Sequence, residues 1–186
     1  MSEDATAELA LRIDALLPQT QCRRCGFDGC RPYAEALARG ESGINRCPPG
    51  GSAVIQRLAA LLDRPALPLD QACGREGPAT VAWIDEAACI GCARCLDDCP
   101  TDVIVGARRR MHTVIAADCT GCELCLPLCP VDCIHMAPAP ADADPAVLAA
   151  GFRRRHDARR ERLARERARR QDLLRASLRD DGAPRA

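Results

Sequence analysis

Leu9, Ile13, Leu16 and Leu17 recur on a helical period through residues 3–17, and Pro18 stops the run. That pattern predicts an amphipathic helix. A loop with Gly26 and Gly29 follows over 18–30, and Pro32 then sits where a second helix, YAEALARG, can begin. Gly40 is its expected C-terminal cap. Residues 41–51 are rich in Gly and Pro and read as loop. A third amphipathic helix is expected over 53–63, where Val54, Leu58, Leu61 and Leu62 share one side.

Beyond residue 64 the helical period ends in RPALPLDQACGREGP, whose prolines and glycines predict a linker over 65–79. Short apolar runs then take over. TVAWI (80–84) reads as a strand, and VIVGARRRMHTVI (103–115) as two short strands meeting around Gly106. Aligning 81–104 with 111–134 yields strand, acid, CxGCxxCxxxCP and an apolar exit, twice over. That is an internal duplication of about thirty residues. APAPADADP (137–145) reads as a hinge, and the Arg-rich stretch after it as a helix carrying Asp157–Arg160, Glu161–Arg165 and Glu166–Arg170 pairs.

The expected fold class is therefore α+β. A helical domain over 5–64 precedes the linker, and a two-repeat unit spans 80–139, with repeats 80–109 and 110–139. The hinge and basic helical tail occupy 140–186.

Composition changes this picture in two ways. Tyr33, Trp83, Phe27 and Phe152 are the only aromatics in 186 residues, so large buried rings cannot organise the core. Fourteen cysteines can. No secretory signal and no long apolar run is visible, so the chain reads as cytoplasmic, where thiols stay reduced and disulfide frameworks are rare. The second change concerns charge. All 26 cations are arginine, and from residue 144 onward thirteen of them face seven acids, which leaves an acidic body with a basic tail.

Cys89, Cys92, Cys95 and Cys99, and again Cys119, Cys122, Cys125 and Cys129, follow the spacing C-x2-C-x2-C-x3-C-P of bacterial ferredoxins. Three cysteines at every third position can wrap three corners of a cubane cluster. In two-cluster proteins the fourth points to the other cluster. One [4Fe-4S] cluster is thus expected on Cys89, Cys92, Cys95 and Cys129, and another on Cys119, Cys122, Cys125 and Cys99. Zinc sites space their ligands as two pairs a dozen or so residues apart, which this pattern does not. Cys22, Cys25, Cys30 and Cys47 have gaps of two, four and sixteen. Spacing alone leaves both a zinc ion and a third cluster open there.

LRIDALLPQTQCRRCGFDGCRPYAEALARGE followed by INRCPPGG resembles the cluster domain of the RnfB/RsxB family, the B subunit of the Rnf/Rsx electron-transport complex. The likeness continues through AWIDEAACIGC, DVIVGARRRMHTV, CTGCELC and CPVDCI. It covers roughly residues 8–137. The resemblance implies that Cys22, Cys25, Cys30 and Cys47 hold a third [4Fe-4S] cluster. It implies electron relay through three clusters as one component of a membrane complex that couples electron flow to ion translocation. The chain departs from the family pattern in reading as a short form without the N-terminal transmembrane helix, and in its Arg-rich tail. An alternative is a free soluble polyferredoxin donating low-potential electrons to a cytosolic reductase.

No nucleophile–base constellation, phosphate loop or nucleotide fingerprint is present, so the chain is expected to carry electrons and to have no catalytic site of its own. Its expected partners are other redox proteins, above all the remaining subunits of such a complex. The tail reads as a solvated helix; its arginines also suit docking on an acidic partner, or a peripheral contact with anionic lipid on the cytoplasmic face of the inner membrane. Nucleic acid is not an expected partner, since no aromatic platform accompanies the charge. Cys73 and Cys133 are left over, Cys73 as a bystander thiol in the linker and Cys133 as a small buried residue beside an apolar run. His112 and His135 read as structural, with cluster neighbours that tune potential as the alternative reading.

Overall fold

The computed structural model of the protein describes residues 2–140 and 144–180; part of the expected hinge (141–143) and the last residues of the tail (181–186) lie outside the described residues. Helix α1 spans Glu3–Leu16 and is capped by Ser2, whose hydroxyl accepts from the Ala5 amide. Helix α2 spans Cys30–Ala38, so it begins two residues before Pro32. It ends as its sequence predicts: the amide of Gly40 donates to Leu37 and that of Glu41 to Ala36, both across the final turn. Helix α3 spans Gly51–Leu62, and Asp63 leaves it in a left-handed conformation.

These three helices close one core on Ile13, Leu17, Tyr33, Leu37, Val54 and Leu58. Tyr33 is its one buried ring, packed on Phe27 at 5.5 Å, and its hydroxyl donates to the Gly43 carbonyl at 2.8 Å. Buried tyrosine needs such a partner for its polar end.

The segment expected as a linker lies against this helical unit. The Asn45 side chain donates to Pro68 O, the Asp70 amide donates to Asn45 O, and the Ser52 amide donates to Glu76. A single 3-10 turn, Gln71–Cys73, carries Cys73 to a buried position. Proline and glycine removed its regular structure without removing its contacts.

The second unit holds β1 (Thr80–Ile84), the short helix α4 (Arg94–Asp98), β2 (Ile104–Val105), β3 (Thr113–Val114) and β4 (Ile134–Pro138). Strand β1 pairs antiparallel with β4, the last strand, and β2 pairs with β3. The first strand of the unit therefore meets its end, which interleaves the two repeats. Outward-facing Trp83 lies opposite His135 in register and stacks on it at 4.7 Å. The inward faces build a core from Ala82, Ile84, Val103, Ile104, Ile134 and the cysteines.

Helix α5 runs over Pro145–Asp180. Its first half is fastened to the body: Arg153 pairs with Asp14 of α1, Arg155 with Asp118, and Arg159 and Arg162 both with Asp102. Phe152 is buried beneath it. Within the helix Glu161 and Arg165 are 3.8 Å apart, and Glu166 turns back to Arg162 at 2.8 Å. Among the described residues no helix is long and apolar enough to cross a membrane.

Candidate metal centres

The duplication is visible in the backbone. Gly91 and Gly121, thirty residues apart, have φ of 68° and 66°; Ala93 and Glu123 have 67° and 63°; Asp102 and Asp132 have 51° and 50°. Both repeats thus fold one loop twice. The glycines are required by close approach as well as by φ. A β-carbon on Gly91 would lie 2.6 Å from the backbone N and O of Arg110, and one on Gly121 would run into the Thr80 carbonyl. Arg110 and Thr80 are themselves thirty residues apart, so each loop is seated against the segment that opens the other repeat.

Three cavities result. The first is lined by Cys89, Cys92 and Cys95 of the first repeat together with Cys129 of the second. The second is lined by Cys119, Cys122 and Cys125 of the second repeat together with Cys99 of the first. The third is lined by Cys22, Cys25, Cys30 and Cys47 in the helical unit. Their open volumes are alike, about 270, 330 and 280 Å³. All twelve expected ligands are thus brought together in fours, and the fourth cysteine of each ferredoxin run crosses to the other repeat's cavity.

The cavity walls are prepared for anionic sulfur. The amide of His112 donates to Cys89 Sγ at 3.4 Å and that of Ala82 to Cys119 Sγ at 3.3 Å. The amides of Val103 and Cys133 donate to Cys99 and Cys129, each at 3.4 Å. Hydrogen bonds to thiolate sulfur favour the ionised ligand. Burial works the other way on the free thiols. It pushes Cys95 up to about 11 and Cys30 and Cys125 up to about 12, and it raises Cys25, Cys47 and Cys122. Metal uptake must therefore strip protons from these thiols, and the metal's charge supplies the compensation.

A single ion fits poorly. Zinc needs sulfurs about 2.3 Å from one centre, and among the described residues no three His, Cys, Asp or Glu side chains converge in that way. The cysteines instead line cavities in fours, which suits a multi-iron body. His112 Nε2 is also a buried nitrogen without a partner at the first cavity. The donor set, all sulfur, is the one an iron–sulfur cluster takes.

Several contributors escape the spacing argument. Gln19 and Gln21 are buried with left-handed backbones. Gln19 donates to Asp14 and Gln21 donates to Gln19, while Gln21 Oε1 accepts from the Cys30 amide at 2.9 Å. This relay of amides caps α2 and holds the Cys22–Cys30 loop to α1. The glutamines carry no spacing signal; only their place within a ligand loop marks them. Cys133, expected as a small buried residue, is buried and also lines the first cavity, with its Sγ 3.4 Å from that of Cys129. Burial raises Cys133 to about 12. Burial also acts on Cys129, but the amides of Val131 and Cys133 outweigh it and hold that thiol below its usual range. His112 lines the same cavity, whereas His135 lies away from all three, on Trp83.

Comparison with known proteins agrees with this chemistry. A family model described as a 4Fe-4S dicluster domain matches residues 82–136, and one described as a "putative Fe-S cluster" matches residues 17–49. A protein of Alkalilimnicola ehrlichii, named as the B subunit of an ion-translocating oxidoreductase complex, is 63% identical over 136 residues, 72% of this chain and 73% of its own length. Its namesake in Thiobacillus denitrificans is 60% identical over 108 residues, 58% of this chain and 57% of that protein. The namesake in an Azoarcus species is 61% identical over 127 residues, 68% and 69% of the two chains.

Proposed function

We infer a three-cluster electron relay from this premise: the chain belongs to the family of B subunits of the ion-translocating oxidoreductase complex. It is an iron–sulfur protein with an electron-transfer role in a membrane complex of the Rnf/Rsx type. The finer reading assigns one [4Fe-4S] cluster to Cys22, Cys25, Cys30 and Cys47, one to Cys89, Cys92, Cys95 and Cys129, and one to Cys119, Cys122, Cys125 and Cys99. The observation that carries it is the sorting of twelve cysteines into three similar cavities, with Cys99 and Cys129 exchanged between repeats.

Bound clusters supply one-electron chemistry; the chain supplies everything around it. Cysteines fix the sites, amide N–H groups stabilise thiolate charge, and Ile84, Ile134, Val103, Ile104, Leu17 and Tyr33 exclude water from the walls. The partners in this reading are the complex's other subunits, met on the cytoplasmic side of the inner membrane, where thiols remain reduced.

The test is iron and sulfide content with EPR of the anaerobically purified, dithionite-reduced chain. The expected result is about twelve iron and twelve sulfide, falling by about four of each in Cys22→Ala and in Cys92→Ala. About eight iron with one zinc would refute the third cluster and reduce the chain to a two-cluster ferredoxin with a structural headpiece.

A further inference from the structure

The two ferredoxin cavities are built by one repeated backbone, so any side chain that differs between them makes them chemically unequal. Ala82 and His112 occupy equivalent positions, thirty residues apart, and their amides make equivalent bonds to Cys119 and Cys89. Their side chains do not match. Ala82 offers a methyl group to its cavity. His112, only 1% exposed, brings Nδ1 to 3.6 Å from Cys89 Sγ and 3.5 Å from Cys95 Sγ. In the sister cavity the Thr101 hydroxyl lies 3.9 Å from Cys99 Sγ, and the Thr120 side chain reaches Cys122 while its hydroxyl donates to the Thr20 carbonyl; neither is an imidazole shared by two ligands.

The imidazole is seated deliberately. A β-carbon on Gly106 would run into His112 Cδ2, so the β2–β3 turn needs glycine there to admit the ring. Arg109 donates to the Gly91 carbonyl at 2.8 Å, which ties the same turn to the Cys89–Cys92 loop. Ligation settles the tautomer. Thiolate sulfur only accepts, so a ring nitrogen facing two thiolates must carry the proton. Nε2 is then a bare acceptor, and its lack of a partner costs less than a buried, unpaired N–H would.

We propose that His112 donates an Nδ1–H hydrogen bond to the thiolates of Cys89 and Cys95, and so makes the cluster on Cys89, Cys92, Cys95 and Cys129 easier to reduce than its sister. Reduction adds negative charge that the thiolates share, and an N–H aimed at sulfur stabilises that charge. The pair is then a potential step, which gives electron flow inside the unit a preferred resting place. This rests on the three-cluster reading above.

The experiment is EPR-monitored redox titration of the full holo chain. In His112→Leu one midpoint should fall by about tenfold in reduction equilibrium, about 59 mV for one electron. The other two should stay, with iron content unchanged. His112→Gln keeps a side-chain N–H and should return most of that shift. Unmoved midpoints in His112→Leu, or equal shifts in both variants, would overturn the proposal. If the leucine variant fails to hold its cluster, pulsed EPR of the natural chain with 15N-labelled histidine decides. A ring-nitrogen coupling to one reduced cluster is expected, and its absence sinks the idea. Three loaded clusters with unchanged midpoints would leave the relay standing, whereas a chain without clusters in the ferredoxin unit would remove both readings.

Discussion

Gly121 shows how much of this chemistry depends on a missing atom. Its backbone is left-handed and the Thr80 carbonyl occupies the space a side chain would need. Ala at a positive φ costs more than the ~0.4–1 kcal/mol that glycine's unfolded-state freedom returns. The clash adds to that cost. Gly121→Ala should therefore lose its cluster absorbance at a lower temperature than the natural chain, by an amount equivalent to more than about 1 kcal/mol. Gly77→Ala, where nothing lies within 4 Å, is the control that should leave it unchanged.

At the scale of elements, the first half of α5 departs from a solvated helix, while residues 164–177 are exposed as that reading expects. Counting its acids and arginines predicts a solvated helix closed on itself; in the structure Arg153, Arg155, Arg159 and Arg162 turn to the acidic body instead. The helix crosses from Asp14 in α1 to Asp102 and Asp118 in the ferredoxin unit, so it straps the two units together. Exposed ion pairs contribute about 0.2–1 kcal/mol each, yet Asp102 receives two arginines at 2.9–3.1 Å. Asp102→Asn keeps a residue that tolerates the left-handed backbone and removes both pairs. Amide exchange over 153–162 should then rise by about fivefold, equivalent to about 1 kcal/mol, with iron content unchanged. Equal exchange in the variant would mean that Phe152 and the remaining pairs carry the docking alone.

Across the whole molecule the repeats diverge where the helical unit attaches. Thr120 donates to the Thr20 carbonyl at 3.0 Å, and Glu123 pairs with Arg24 at 2.6 Å. The first repeat has Ile90 and Ala93 at those positions, and Ile90 is exposed. Through these contacts the helical unit touches the second repeat, by way of the loops that carry Cys22 and Cys119. In the three-cluster reading this contact sets which clusters are neighbours. Glu123→Arg places two cations together and should separate the units. The expected result is loss of the magnetic broadening between cluster signals in the fully reduced chain, with three isolated signals remaining. Unchanged broadening would show that α5 holds the units together without this pair.

Local chemistry was legible in the chain because it is local. Helix periods, the Gly40 cap, the strand TVAWI and the cysteine spacings depend on neighbours a few residues apart. The duplication could also be read, since two copies of one pattern announce one fold used twice. What lay beyond it needed partners far away in sequence. The contacts of 65–79, the amides of Gln19 and Gln21 and the arginines of α5 acquire meaning only from groups that folding brings near. So do His112 and Cys133, whose spacing matches no motif and whose proximity to Cys89, Cys95 and Cys129 follows from pairing β1 with β4 and β2 with β3. Sequence alone determined which residue types could bind metal, because ligand chemistry belongs to the side chain. Tertiary structure decided how two copies of one site become unequal, because hydrogen bonds and burial depend on distance.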